Sequence, residues 1–364
     1  MRILHIANHV KETGNGIVNV MVDLACEQAS RNHQVAVMSA GGHYEDLLAK
    51  HGIRHFRLDQ TRKPAQIMRA VFHFRKMVAD FSPDIIHAHM MTGAVLARYL
   101  KGFRKYKIVT HVHNEFQKSA DFMKVGDRVI AVSQAVSQAM EGRGVQKDKL
   151  RVILNGTIGS PRDSDPAPVQ LEGRPIVTVA GMYERKGIAD LIDAFNLTAQ
   201  EHPDARLYIV GDGPDRAKFE ERAAASPAAS RIIFAGFQPD PRRWMKGAEI
   251  FVLASHKEPF GLVLIEARES GCAIVASGVD GIPEALDHGE AGLLVPPREP
   301  KSLAGAISKL LGDDVLRQRY RTRAAANLEN YHVGRVAEEM LGVYGELLPA
   351  AALPAQAAGS KPGM

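Results

Sequence analysis

Residues Ala254–Gly271 read ASHKEPFGLVLIEARESG, and they directly follow the short apolar run Ile250–Ala254. The run is a strand candidate, since four to eight β-branched and aromatic residues bounded by polar ones suit a buried strand. A loop then ends at Pro259, and apolar spacing predicts a helix from there to about Ser270. Pro259 suits the first turn, where a missing N–H costs nothing. A strand feeding a helix through a tight Gly-containing loop is half of a parallel βαβ unit. The amides of Phe260, Gly261 and Leu262 would be unpaired at the helix start, and free N–H groups with the helix dipole favour a phosphate. Gly261 would let a ligand approach the backbone.

The same alternation extends both ways along the chain. Before the segment, strand candidates are Ile3–Ala7, Val35–Ser39, Ile85–Ala88, Lys107–Thr110, Arg128–Val132 and Val152–Leu154, then Ile176–Ala180, Arg206–Val210 and Arg231–Ala235; after it come Ala273–Ala276 and Leu293–Val295. Between them, Val18–Ala29 and Gly187–Ala199 carry apolar residues at helical spacing. Two such series predict two doubly wound α/β domains, each with a ligand-prone crevice at its strand ends. A length of 364 residues agrees, because single cores rarely grow beyond roughly 250–300 residues. Gly156–Pro175, GTIGSPRDSDPAPVQLEGRP, has no periodic apolar face and reads as a linker. The expected division is 1–157 and 173–330 as domains, 158–172 as linker, 331–349 as a final helix and 350–364 as a disordered tail.

Two carboxylates flank the phosphate-prone loop. Glu266 lies five residues beyond Gly261, roughly 7 Å along a helix axis, about the reach from a diphosphate to the far ribose hydroxyls. Glu258 sits at the other end, where a sugar on that diphosphate would lie. Carboxylates read hydroxyls well because they accept two hydrogen bonds at once.

With these residues in view, the chain resembles the retaining glycosyltransferases of family 4, which carry an E-x7-E motif on the GT-B fold. GDGPDRAKFE at Gly211–Glu220, FAGF at Phe234–Phe237 and SGVDGIPEALDHGEAGLLVPP at Ser277–Pro297 extend the likeness. It reaches from the N-terminus to about Leu311 and is strongest over Ile176–Pro297. It implies two Rossmann-like domains facing a cleft, with the last helix returning to the first domain. It also implies transfer of a hexose from a UDP- or GDP-sugar to a lipid-linked or saccharide acceptor, with retention, in polysaccharide or lipopolysaccharide synthesis. No convincing nucleophile of the kind retaining glycosidases use is evident.

The resemblance carries roles onto particular residues. In AGMYERKGIADLIDAF, Ala180–Phe195, Arg185 and Lys186 match the pair that neutralises the donor diphosphate, whose negative charge grows as it leaves. The commonest family form has Arg directly after the Gly; Met182 stands there, and Arg185 is taken as the substitute. KETGNG, Lys11–Gly16, matches the loop that closes over the donor phosphates, with Gly16 the residue of choice. In THVHNEF, Thr110–Phe116, His113 best matches a His that contacts the donor sugar, and His111 competes with it. No cofactor and no metal are expected: the HAH and HVH tripeptides around His87–His89 and His111–His113 lack the usual ligand spacing and have no Cys partners.

Composition is that of a soluble globular chain, with 45% hydrophobic and 24% charged residues. Cys26 and Cys272 lie in different halves, so a disulfide is not expected and a cytoplasmic location fits. No apolar run approaches the ~20 residues that span a bilayer. Charge is uneven: residues 1–160 hold 23 Lys and Arg against 13 Asp and Glu. Two basic stretches interleave with apolar residues, Thr61–Met77 and Arg98–Lys107. They suit either an anionic membrane surface or, for Ile67, Val71, Phe74 and Val78, a core-facing stripe. Nucleic-acid binding is not expected, as no recognised module appears. Two other functions use the same features: a nucleotide-sugar epimerase, and a non-catalytic nucleotide-sugar-binding subunit.

Overall fold

The computed structural model describes residues 1–59, 64–162 and 167–349, with the backbone alone at 64–67. The expected tail at 350–364 and the first residues of the basic stretch at Thr61 lie outside the described residues.

The first sheet contains β1 (Arg2–Ile6), β2 (Gln34–Ser39), β3 (Arg54–Arg57), β4 (Ile85–Ala88), β5 (Lys107–Val112), β6 (Arg128–Ala131) and β7 (Leu150–Val152). Its order is β3-β2-β1-β4-β5-β6-β7, and every pairing is parallel. The second contains β8 (Arg174–Val179), β9 (Ala205–Val210), β10 (Ile232–Gly236), β11 (Ile250–Leu253), β12 (Ala273–Ser277) and β13 (Leu293–Val295), in the order β10-β9-β8-β11-β12-β13, again all parallel. Helices cover both faces of such sheets, which is why central strands such as IFVL in β11 are buried at every position.

Strand order reverses between β1 and β4 in one sheet and between β8 and β11 in the other. The loops that leave these strands diverge and open a crevice. The loops after β8 and β11 hold the Ala180–Phe195 and Ala254–Gly271 motifs.

Two differences from the sequence reading have simple causes. β3 has no apolar run, because RHFR is an edge strand with a single buried residue, Phe56. The helix after β11 spans Leu262–Glu269, with Gly261 at φ +90° as its N-cap, so Pro259 lies outside it. Tertiary bonds hold Pro259 there: its carbonyl accepts from Ser133 Oγ at 2.7 Å, and the Glu258 amide donates to Asp280 Oδ2 at 2.9 Å.

The chain crosses back at its end. The Gly156 position admits no side chain, since a Cβ would come 2.3 Å from the Tyr331 carbonyl oxygen. The helix Val333–Gly345 then buries Val336, Met340 and Tyr344 with Ile3, Ile85, Val109 and Ile130 of the first sheet. Arg151 and Arg128 both pair with Glu346, at 2.7 and 2.8 Å. Among the described residues no helix is long and apolar enough to cross a membrane. Cys26 and Cys272 are buried and free.

Candidate functional site

The loop after β8 makes a short 3-10 turn, Glu184–Lys186, then enters the helix Ile188–Glu201 through Gly187. Gly187 sits at φ +66°, and a Cβ there would lie 1.9 Å from the Ala254 carbonyl oxygen. Glycine is therefore required for this loop to lie against the end of β11. That closeness brings Lys186 and Glu258 together as an ion pair in which both side chains are largely buried. Ser255 Oγ approaches the same carboxylate oxygen at 3.4 Å. His256 closes the contact, its backbone amide donating to the Arg185 carbonyl at 2.8 Å and its Nε2 meeting Asp190 Oδ2 at 2.6 Å.

Arg185 is half-buried, with its guanidinium over the Tyr183 ring at 5.7 Å. Met182, where the commonest family form has Arg, is fully buried in the domain core. Phe260 is buried too, against Tyr331, so it can serve a ligand only through its backbone.

Gly16 is the first residue of the helix Gly16–Ser30, and Leu262 is the first of the helix Leu262–Glu269. A Cβ on Gly16 would lie 3.3 Å from Leu262 Cδ1, so the two helix starts meet across the cleft. Each presents first-turn amides and the positive end of a dipole, although at the first the Ile17 amide already donates to Asn15 Oδ1 at 3.1 Å. Glu266 lies one turn further along its helix. It acts electrostatically on Arg162, which makes two hydrogen bonds to Asp23, at 2.6 and 2.7 Å. Burial works against the Arg162 charge, but the Asp23 carboxylate holds it protonated.

The loop after β5 meets the same region, with Lys257 Nζ 5.4 Å from the Phe116 ring. Of the two candidate histidines, His111 is fully buried and His113 is half-buried at the strand end. His113 Nε2 lies 3.2 Å from His89 Nδ1. Glu115 is buried nearby, and burial pushes it up to about 7, with Asp280 and Glu258 adding to the rise.

Sequence reasoning did not single out Glu115, Asp280, Arg162 or Glu284. Glu115, Asp280 and Glu284 stood inside quoted motifs, and Arg162 inside the linker. Glu284 reaches across the cleft and accepts from the amides of Gln134 and Ala135, at 2.8 and 3.2 Å. It thereby caps the helix Gln134–Gly142 of the other domain. The HAH and HVH segments, set aside on spacing, lie side by side on adjacent strands, and three of their histidines have ring nitrogens within 4.8 Å of one another.

Two facing α/β domains, with a pair of helix starts meeting across the cleft beside a Lys–Glu pair, have the GT-B architecture. Residues 14–157 match the family described as Glycosyltransferase Family 4, and residues 161–327 match Glycosyl transferases group 1. The chain is 30% identical to a D-inositol 3-phosphate glycosyltransferase of Acidothermus cellulolyticus, over 73% of this chain and 67% of that one. It is 28% identical to a phosphatidyl-myo-inositol mannosyltransferase of Mycobacterium tuberculosis, over 94% of this chain and 96% of the relative. Anabaena HepE, solved with UDP and glucose, has the same fold, with a TM-score of 0.79 at 20% identity, covering 95% of this chain and 99% of HepE. The chain belongs to the family 4 glycosyltransferases.

Proposed function

We propose that this glycosyltransferase moves a hexose from a UDP- or GDP-sugar to a lipid-linked or saccharide acceptor, with retention, in cell-surface polysaccharide or lipopolysaccharide synthesis. The observation that carries the reading is the Lys186–Glu258 pair beside the meeting helix starts at Gly16 and Leu262. In it the diphosphate takes the amides of Phe260, Gly261 and Leu262, with Lys186 and Arg185 as its cations. No metal ion is needed there, because these groups neutralise the charge that grows as the diphosphate departs. Glu266 reads the ribose hydroxyls. Glu258, released from Lys186, and His113 read the hexose.

The reaction breaks the bond between the sugar C1 and the diphosphate oxygen. The acceptor oxygen bonds to C1 from the same face, and its proton passes to the departing phosphate oxygen. The protein supplies positioning and leaving-group stabilisation.

The acceptor side is supported by the basic surface. The helix Pro64–Phe81 buries Ala70, Phe74, Val78 and Phe81, yet also exposes Met68 at 76% and Phe72 at 67% beside Arg69, Arg75 and Lys76. Arg104 donates to the Arg75 carbonyl at 3.2 Å, tying the second basic stretch to this helix, and Tyr99 and Phe103 of that stretch are exposed. Phe74 and Val78 of the expected stripe pack inward, Val71 is half-buried and the side chain of Ile67 lies outside the described residues, while the other face suits peripheral binding to an anionic membrane at the cytoplasmic side. The lipid named for the mycobacterial relative agrees with a lipid-linked acceptor.

The test is thermal stability with UDP, GDP and their sugars. A nucleotide at 100 times its Kd should stabilise the chain by about 2.7 kcal/mol. Glu266→Ala should lose that gain, and Glu258→Ala should chiefly lower kcat. Stabilisation of Glu266→Ala equal to that of the native chain would sink the donor site.

A further inference from the structure

Five histidines, His5, His87, His89, His111 and His113, form one array at the ends of β1, β4 and β5. Side chains two apart on a strand share a face, and the sheet register sets His5 against His87. The HAH and HVH tripeptides therefore stack: ring centroids are 4.3 Å apart for His87 and His89, 3.9 Å for His111 and His113, and 5.5 Å for His89 and His113. An imidazole of ordinary basicity is chiefly uncharged at neutral pH. Each is a neutral ring with one donor and one acceptor nitrogen.

The hydrogen bonds fix which nitrogen is which. Gln28 Nε2 donates to Tyr344 OH at 3.2 Å, so Gln28 Oε1 faces His5 Nε2 at 2.8 Å, which must carry the proton. His5 Nδ1 then accepts from His89 Nε2 at 3.0 Å. This leaves a lone pair on His89 Nδ1, aimed at His113 Nε2 3.2 Å away. His111 is the anomaly: it is fully buried, and among the described residues neither of its ring nitrogens has a hydrogen-bond partner, whereas His87 lacks one at Nε2 alone. Buried polar atoms are nearly always satisfied, and an orphan calls for a missing ligand or a function.

We propose that His89, His111 and His113 form a three-imidazole site for a late first-row divalent cation, in the class of Zn2+, Co2+, Ni2+ and Cu2+. The three offer nitrogens within 4.8 Å of one another. Zn–N bonds of about 2.0–2.1 Å place two ligands of a tetrahedral site about 3.3 Å apart, close to the His89–His113 spacing. A set of neutral imidazoles without carboxylates selects these ions over Mg2+ or Ca2+. His89 is oriented from behind by His5, Gln28 and Tyr344, as ligands of such sites are.

Binding needs no net proton release: the ring proton of His113 moves from Nε2 to Nδ1, and His89 keeps its own on Nε2. The alternative trio of His5, His87 and His89 fits less well. It would break the His5–His89 bond, and all its members are fully buried, whereas half-buried His113 gives the chosen trio a way in. The site does not use Lys186, Glu258 or Glu266, and it shares only His113 with the proposed donor site.

The test uses the full chain, stripped with chelator and titrated with Co2+, whose visible spectrum reports tetrahedral nitrogen ligation, and with Zn2+ by calorimetry. One ion per chain is expected. His111→Leu should weaken binding at least 100-fold while the metal-free protein unfolds at the native temperature or above it, since the change removes two orphaned atoms. His113→Ala, at the half-buried edge, should weaken it similarly and serves if His111→Leu does not fold. His5→Leu should cost 10–100-fold. No stoichiometric ion on the native chain, or an affinity unchanged in the variants, overturns the site. Nucleotide stabilisation of His111→Leu, and metal binding by Glu266→Ala, keep this result separate from the donor reading.

Discussion

Removing the Lys186 charge should destabilise the donor domain, and removing Glu258 as well should restore much of the loss. The Lys186 and Glu258 side chains are 14% and 11% exposed, much nearer a buried pair than a surface one. Deleting one partner of a buried pair costs about 3–5 kcal/mol, against 0–1 for an exposed pair. Remaining exposure puts Lys186→Met at the lower end, about 3 kcal/mol. The cost arises because the Glu258 carboxylate is left uncompensated near Glu115, whose rise it already adds to, and near Asp280, which accepts from the Glu258 amide. Glu258→Gln should cost less, since a lysine can turn toward solvent. In the double variant no charge is stranded, so its loss should fall short of the sum of the singles by about 2 kcal/mol. Thermal unfolding of the four proteins reads this directly, at roughly 2–4 °C per kcal/mol for a domain of this size. The same four, with saturating UDP, separate stability from binding: Lys186→Met should lose nucleotide stabilisation, while Glu258→Gln should keep it, because its lysine is free for the diphosphate. Losses that simply add would show that the two side chains do not interact, and would refute the reasoning.

Three further outcomes are expected. Glu284→Ala uncaps the helix Gln134–Gly142 from across the cleft and should cost about 1 kcal/mol, with a larger radius of gyration in solution scattering as the domains part. Arg268→Met strips a fully buried guanidinium from Asp287, 2.8 Å away, and from the carbonyls of Ala285, Ala324 and Ala326, and should lower stability by about 3–5 kcal/mol in urea denaturation. Replacing Phe72 and Phe103 by Ser should weaken binding to anionic vesicles at least tenfold, given about 1.5–3 kcal/mol per buried large apolar side chain, with thermal stability unchanged because both are exposed.

Much of this architecture was legible because parallel strands buried on both faces leave apolar runs that few other elements produce. The exceptions are informative. β3 was invisible because an edge strand needs only one inward residue, and RHFR supplies Phe56 alone. The start of the Leu262–Glu269 helix was misjudged because Pro259 obeys a local preference that Ser133, Asp280 and Gly281 override from elsewhere in the chain. Sequence spacing carries information about one element, whereas these contacts join residues more than twenty positions apart.

The site divides along the same line. Lys186, Glu258, Gly261 and Glu266 sit at fixed offsets from a strand end, so a motif can name them. Glu284 and Arg162 act across the cleft or from the linker, where no offset is fixed. The histidines show what a spacing rule leaves out. Ligands two residues apart look unusable when judged against finger-type metal sites, whose short ligand spacings are wider. On a strand, the period of two puts both rings on one face, and a neighbouring parallel strand with the same tripeptide completes a grid. Two H-x-H tripeptides at the ends of adjacent parallel strands are therefore a readable signal, provided the strand pairing is inferred before the ligand spacing is judged. In this chain that pairing, β4 beside β5, follows from the doubly wound order itself.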